Sequence, residues 1–249
     1  MTPLKIVLEG KSSITRQPER AALAFVIHTS GPSQETVSKE AIEASNDIGR
    51  LFKELSPKTE TGETIAGSPV TSFSSTSLRT DSQLPRDKSG DPLPTDYNAV
   101  IWLNALFQDF TKLSEIVGKL ISFPNIEIKS LDWRLTEATQ KALGSESREE
   151  AMRDAVQKAN DNARVIEREV VAVEITEVRG GGQHEVKSNL NIQMQQLQQM
   201  RQVQQQQMAQ PCVPYSPRVD SLASPGLDLL PQLIRYTDAV QVEFQAAHS

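Results

Sequence analysis

Alanine recurs every four residues at Ala151, Ala155, Ala159 and Ala163. At 3.6 residues per turn these methyl groups form one stripe along a helix, flanked by Met152, Val156 and Ile166. The stripe has almost no side-chain height, so the helix can lie very close to whatever it packs against, and a sheet is the expected partner. Arg148, Glu149, Arg153, Asp154, Lys158, Asp161 and Arg164 occupy the other faces as a solvated surface. Ser147 followed three residues later by Glu150 has the spacing of a capping box, which places the helix start there.

Alternating segments supply the strands for that sheet. Leu4, Ile6 and Leu8 alternate with polar or smaller neighbours up to Gly10, and Ala22 to His28 carries Leu23, Phe25 and Ile27 on one side. Tyr97 to Phe107 is the clearest strand. Ile126 to Leu135 is another, with a bulge expected where its register changes, followed by Val170 to Val178 and a final strand over Ala239 to Phe244. Between Gln34 and Leu55 the apolar period becomes helical, with Ser33 as cap and Pro57 as stop. A further helix begins near Asp109 and ends before Pro124.

Two segments resist this pattern. Residues 80–95 hold Pro85, Pro92, Pro94 and Gly90 with no apolar period and are expected to be a surface loop. Residues 180–232 begin with Gly180, Gly181 and Gly182, run through a glutamine-rich tract and end among prolines, a low-complexity composition expected to be disordered. Hydrophobic residues make up 37% of the 249-residue chain, and adding the 12 glycines brings this only to about 42%, below the roughly 45–50% of ordinary globular proteins counted with glycine. Part of the chain is therefore expected to lie outside the core. The expected fold is α+β: an antiparallel sheet packed by two or three helices, closed as one sheet by the last strand. Its domain comprises residues 3–178 plus 237–245.

Composition also excludes functions. The formal net charge is −6 and the sequence pI about 5.2. With no Lys/Arg run, the chain lacks the basic face that nucleic acid requires. Nothing approaches the roughly 18–20 apolar residues of a membrane span, and the start lacks the apolar run of about 7–15 residues of a secretory signal. The expectation is a cytoplasmic protein, with the nucleus as alternative, no signal peptide, and neither membrane nor nucleic-acid partners. The lone Cys212 forms no intrachain disulfide.

No catalytic, cofactor-binding or metal-ligating residue emerges. His28, His184 and His248 are far apart and lack ligand spacing. Cys212 sits in low-complexity sequence without the base and oxyanion donors of a nucleophile. The triple glycine precedes no Lys or Ser/Thr helix start, so it is not a phosphate loop. Asp132 and Glu137 flank Trp133 but read as solvated charges rather than an acid–base pair. Trp102 and Trp133 read as core aromatics. Met194, Leu197 and Met200 lie three apart, a stripe with which a transient helix would meet a partner, although a solvated spacer is the simpler reading.

Four local patterns resemble one family. The first is the opening strand to Gly10 followed by Pro18-Glu19-Arg20-Ala21. The second is Tyr97-Asn98-Ala99 opening a strand that runs into Asp109-Phe110. The third is Glu150-Ala151, Asp154-Ala155, Lys158-Ala159 and Ala163, and the fourth is the closing Val240-Gln241-Val242-Glu243-Phe244. In this order they resemble the SIMPL domain family, also called domain of unknown function 541. The resemblance implies an α+β fold, self-assembly in some members, no established catalytic residues, and, through animal members that associate with a pelle-like kinase, a signalling connection. The chain departs from the pattern in lacking a bacterial secretion signal, in having Glu167-Arg168-Glu169 where a glycine usually follows the Ala-rich helix, and in its Gln/Pro-rich insertion. The functional expectation is a non-enzymatic protein-interaction or oligomerisation module. The alternative is a small-ligand carrier or enzyme with a pocket between the Ala-rich helix and the sheet. A glutamine-rich nuclear regulator ranks last for want of a basic element.

Overall fold

The computed structural model describes residues 4–86, 89–178 and 229–246, together with the backbone of 182–184. The described residues hold nine strands and three helices, an α+β architecture with two antiparallel sheets. The chain divides into two compact units. The expectation of one closed sheet is therefore corrected: the first two strands, adjacent in sequence across Pro18, belong to different sheets.

In the first unit, β1 (Lys5–Arg16) and β7 (Val170–Glu177) flank β9 (Ile234–Ala246), and β8 (Gly182–His184) pairs with the early part of β9. β1 and β9 run antiparallel without a break from Lys5↔Gln245 to Arg16↔Ile234. β1 continues past Gly10, the expected end, because Ser12 and Ile14 prolong the buried face. A hydroxyl there replaces an apolar residue and hides the alternation. The closing strand does join the sheet, with Val240, Val242 and Phe244 buried.

Helix α3 (Glu137–Val165) packs on β1 and β9. Ala151, Ala155 and Ala159 form one buried cluster with Val240, Val242 and Phe244, and Ile6, Leu8, Met152 and Val170 pack around it. The helix begins well before Ser147. Thr136 is the N-cap, and Ser147 is fully buried mid-helix with its hydroxyl against that of Ser12. The earlier start depends on a residue distant in sequence. Glu19 accepts hydrogen bonds from the Thr136 amide, the Thr136 hydroxyl and the Thr139 hydroxyl, each at 2.7 Å. Orphan donors of the first turn are thus satisfied by a carboxylate that also complements the helix dipole.

The second unit holds β2 (Arg20–Gly31), β3 (Val70–Ser75), β4 (Arg79–Gln83), β5 (Asp96–Phe107) and β6 (Ile126–Arg134), in the order β3-β5-β2-β6 with β4 also on β5. Helices α1 (Gln34–Leu55) and α2 (Phe110–Ser122) belong to it. α1 is capped by Ser33 and buries Val37, Ala41, Ile48 and Phe52; α2 is capped by Asp109, which accepts from the amides of Thr111 and Lys112. Phe52 stacks on Phe73 with centroids 4.4 Å apart, and Phe25 and Phe107 lie 5.9 and 6.0 Å from it. β6 is a continuous strand in which Ile128, Leu131 and Trp133 are buried, so its side-chain phase shifts between 128 and 131.

The expected loop over 80–95 is shorter than its composition suggested. β4 pairs with β5 from Arg79↔Val100 to Gln83↔Asp96. All of its side chains are exposed, so only the backbone ladder holds it and no apolar period announces it. Apart from β8 and residues 229–232, the expected low-complexity segment lies outside the described residues.

Candidate functional site

The residues weighed for chemistry remain dispersed. His28 is exposed on β2. His184 falls on β8, where only the backbone is described, and His248, Cys212, Gly180, Gly181, Met194, Leu197 and Met200 lie outside the described residues. Among the described residues no group of three His, Cys, Asp or Glu side chains has metal-ligand geometry, and no helix is long and apolar enough to cross a membrane.

Asp132 accepts a hydrogen bond from Ser130, and Glu137 forms an exposed ion pair with Lys141. Trp133 is buried edge-on to Phe110 with centroids 5.0 Å apart. Trp102, read from sequence as core, is instead 45% exposed. It alternates with Ile101 and Leu103, which take the buried side of β5, so the indole emerges on the opposite face.

Two carboxylates have clearly depressed pKa values, and both owe them to lysines. Glu115 on α2 is lowered to about 2 by hydrogen bonds from Lys112 and Lys119, on open surface. Asp154 on α3 is lowered by the hydrogen bond from Lys158 and then by the Lys11 amide. The Lys11 amide donates to Asp154 at 2.8 Å, and Lys158 bridges Asp154 at 2.7 Å and the Glu9 carbonyl at 2.9 Å. Neither arrangement has the buried, opposed pair that acid–base catalysis uses. The Asp154 group instead ties α3 to β1.

The sign of that coupling follows from the direction of the shift. A carboxyl lowered in the folded state stabilises the fold fully above its unfolded value near 3.8, and the contribution fades as pH falls through the lower folded value. Asp154→Asn is expected to lose about 1 kcal/mol at neutral pH, discounted for partial exposure. In urea titrations the gap from wild type should close as the pH falls below that window; a constant gap would contradict the assignment.

Glycine makes the helix–sheet contact possible. A Cβ built on Gly10 would lie 1.9 Å from the Ala151 carbonyl oxygen and 2.8 Å from the Ala155 Cβ. At that point α3 leaves no room for a side chain, still less for a ligand. Among the described residues, surface grooves are present beside β1 and in the second unit. One, of about 530 Å³, is lined by Lys11, Ser13, Val178 and Thr237 among others, and the second, of about 550 Å³, by Phe52, Lys53, Lys58 and Phe73 among others.

The first unit exposes one distinctive surface. α3 covers β1 and β9 but barely reaches β7. β7 pairs with β9 alone among the described strands, so among the described residues nothing pairs with the backbone groups of its outer edge. Along it Val171, Val173 and Ile175 are 59%, 51% and 58% exposed. Sequence reading registered the weak alternation of this strand but not its exposure, which depends on where α3 ends its coverage.

No curated protein matches the chain significantly. A family model described as SIMPL, a protein of unknown function (DUF541), matches residues 6–244, nearly the whole chain. The arrangement above and this match agree with the four local patterns in the sequence, and the chain belongs to the SIMPL family.

Proposed function

We propose that this chain is a non-enzymatic protein-interaction module that also self-associates. The observation that carries the reading is β7, an edge strand with three large apolar side chains about half exposed and no neighbour on its outer side among the described residues. Edge strands are commonly blunted by charge, coverage or a bulge, because unpaired amides and carbonyls template further strand pairing. Here Glu174, Glu177 and a bulge are present, yet the apolar content remains high. The acidic balance of −6 suits protein partners better than phosphate backbones. The signalling connection rests on resemblance to the kinase-associating members of the family.

The carrier or enzyme reading has less support where it was first located, because α3 sits on β1 too tightly at Gly10. Size-exclusion chromatography with light scattering tests the self-association. A mass above the 27.5 kDa of one chain is expected at micromolar concentration, and a strict monomer would reject that part of the proposal.

A further inference from the structure

We propose that the groove between the end of α1 and β3 binds a small aromatic carboxylate, its ring against Phe73 and its carboxylate beside Lys53 and Lys58. The site lies within the second unit and goes beyond the interaction reading without depending on it.

The groove arises because α1 packs chiefly on β2 and β5 and meets only the margin of β3. The Ser56 amide closes the last turn of α1 on the Phe52 carbonyl at 3.0 Å, and Pro57 ends the helix. Phe73 sits opposite Ala105 on the buried face of the sheet, yet at the helix margin it remains half-buried. Its ring stacks on Phe52 within 2° of parallel, and both rings line the groove of about 550 Å³. Small-ligand sites combine that range of volume with an apolar wall and a few polar groups.

The chain returns toward β3 through a turn that fixes one side of the groove. Lys58 bridges Thr64 in antiparallel register. The Thr59 amide donates to the Glu63 carbonyl at 2.7 Å, and the Gly62 amide to the Thr59 carbonyl at 2.9 Å. Gly62 takes a φ of 85°, which a residue without a Cβ adopts freely. The Thr64 hydroxyl donates to the Thr71 carbonyl at 3.0 Å and ties the turn to the strand. Lys58 therefore stands on ordered backbone, which lowers the entropy lost when a ligand binds.

Charge selects the ligand. Lys53 and Lys58 line the groove, and among the described residues no carboxylate lines it; Glu54, Glu60 and Glu63 are exposed outside it. Every other described lysine has an acidic partner: Lys5, Lys11, Lys39, Lys112, Lys119, Lys129, Lys141 and Lys158 all form ion pairs. Lys53 and Lys58 form none among the described residues, although the chain carries a net charge of −6. The carboxyl end of α1 carries partial negative charge that one cation offsets, which leaves the second for a ligand. The Ser72 hydroxyl also faces the groove without a partner among the described residues and supplies a neutral donor. A flat apolar body stacks on Phe73 while an attached carboxylate accepts from the ammonium groups, so one small molecule satisfies both features.

The test titrates the isotope-labelled full chain with naphthoate and with naphthamide, an uncharged molecule of the same shape, and follows the backbone amides by NMR. Naphthoate should shift the amides of Lys53, Gly62, Thr64 and Ser72 saturably, and naphthamide should bind about tenfold more weakly. Combining Lys53→Gln with Lys58→Gln should weaken naphthoate by about tenfold and leave naphthamide unchanged, which removes the difference between the two probes. Both side chains are exposed and unpaired, so the melting temperature should hold. Absence of shifts at these amides, equal affinity for the two probes, or naphthoate binding indifferent to the lysine exchange overturns the proposal. None of those results touches the self-association, which is read separately from the mass of the wild-type chain.

Discussion

Gly10→Ala is expected to destabilise the first unit by about 3 kcal/mol, at the upper end of overpacking effects. The glycine is needed for space rather than for backbone freedom: the atom that an added methyl would strike is the Ala151 carbonyl oxygen, part of the helix backbone itself. A flexible side chain could rotate away, but a backbone carbonyl moves only if the turn around Ala151 and Ala155 lifts from the strand. That shift would also disturb the Lys11–Asp154 and Lys158–Glu9 hydrogen bonds nearby. Urea unfolding followed by circular dichroism measures the loss. A change under about 0.5 kcal/mol, the range of neutral surface substitutions, would contradict this packing.

The second large effect belongs to the other unit. Phe52→Ala should cost about 3–5 kcal/mol, through lost burial plus the cavity left behind. Phe52 is fully buried at the end of α1 and is the ring that Phe25, Phe73 and Phe107 all meet. Phe73 is only half-buried on an edge strand, so the stack also secures β3. Thermal unfolding gives the magnitude, and hydrogen exchange should show protection lost in α1 and β3 together. Phe52→Leu, which keeps most of the volume, should recover much of the stability; equal damage from both would point away from cavity formation.

The sequence made the local elements legible where one face is apolar and periodic. The alanine stripe, the helix from Gln34 to Leu55 and the strand from Tyr97 to Phe107 appear as their spacing predicts. Misreadings arose where the cause is tertiary. The start of α3 was masked by Gly144 and by polar residues, and it is secured by Glu19, more than a hundred positions away. β4 has no buried side chain to signal it. The division into two sheets follows from β1 pairing with β9 instead of β2, a choice among partners that periodicity does not encode. Trp102 shows the converse limit: alternation assigned it to a strand, but aromatic character alone did not place it on the exposed face.

The surface to which function is assigned was the least legible part. The composition of β7 was visible, but its working character depends on the span of α3 and on a single-residue bulge. Both are properties of neighbouring elements.

Residue-resolved hydrogen exchange across a range of chain concentrations tests the account at its centre. The Val178 amide donates to the Ala239 carbonyl, and antiparallel pairing alternates successive amides, so those of Ile175 and Glu177 point away from β9. They exchange quickly in an isolated chain and should slow as concentration rises, while Thr176 and Val178 stay protected throughout. If Ile175 and Glu177 exchange at the same fast rate at every concentration, the edge is unoccupied and the account of this protein as a self-pairing module is contradicted.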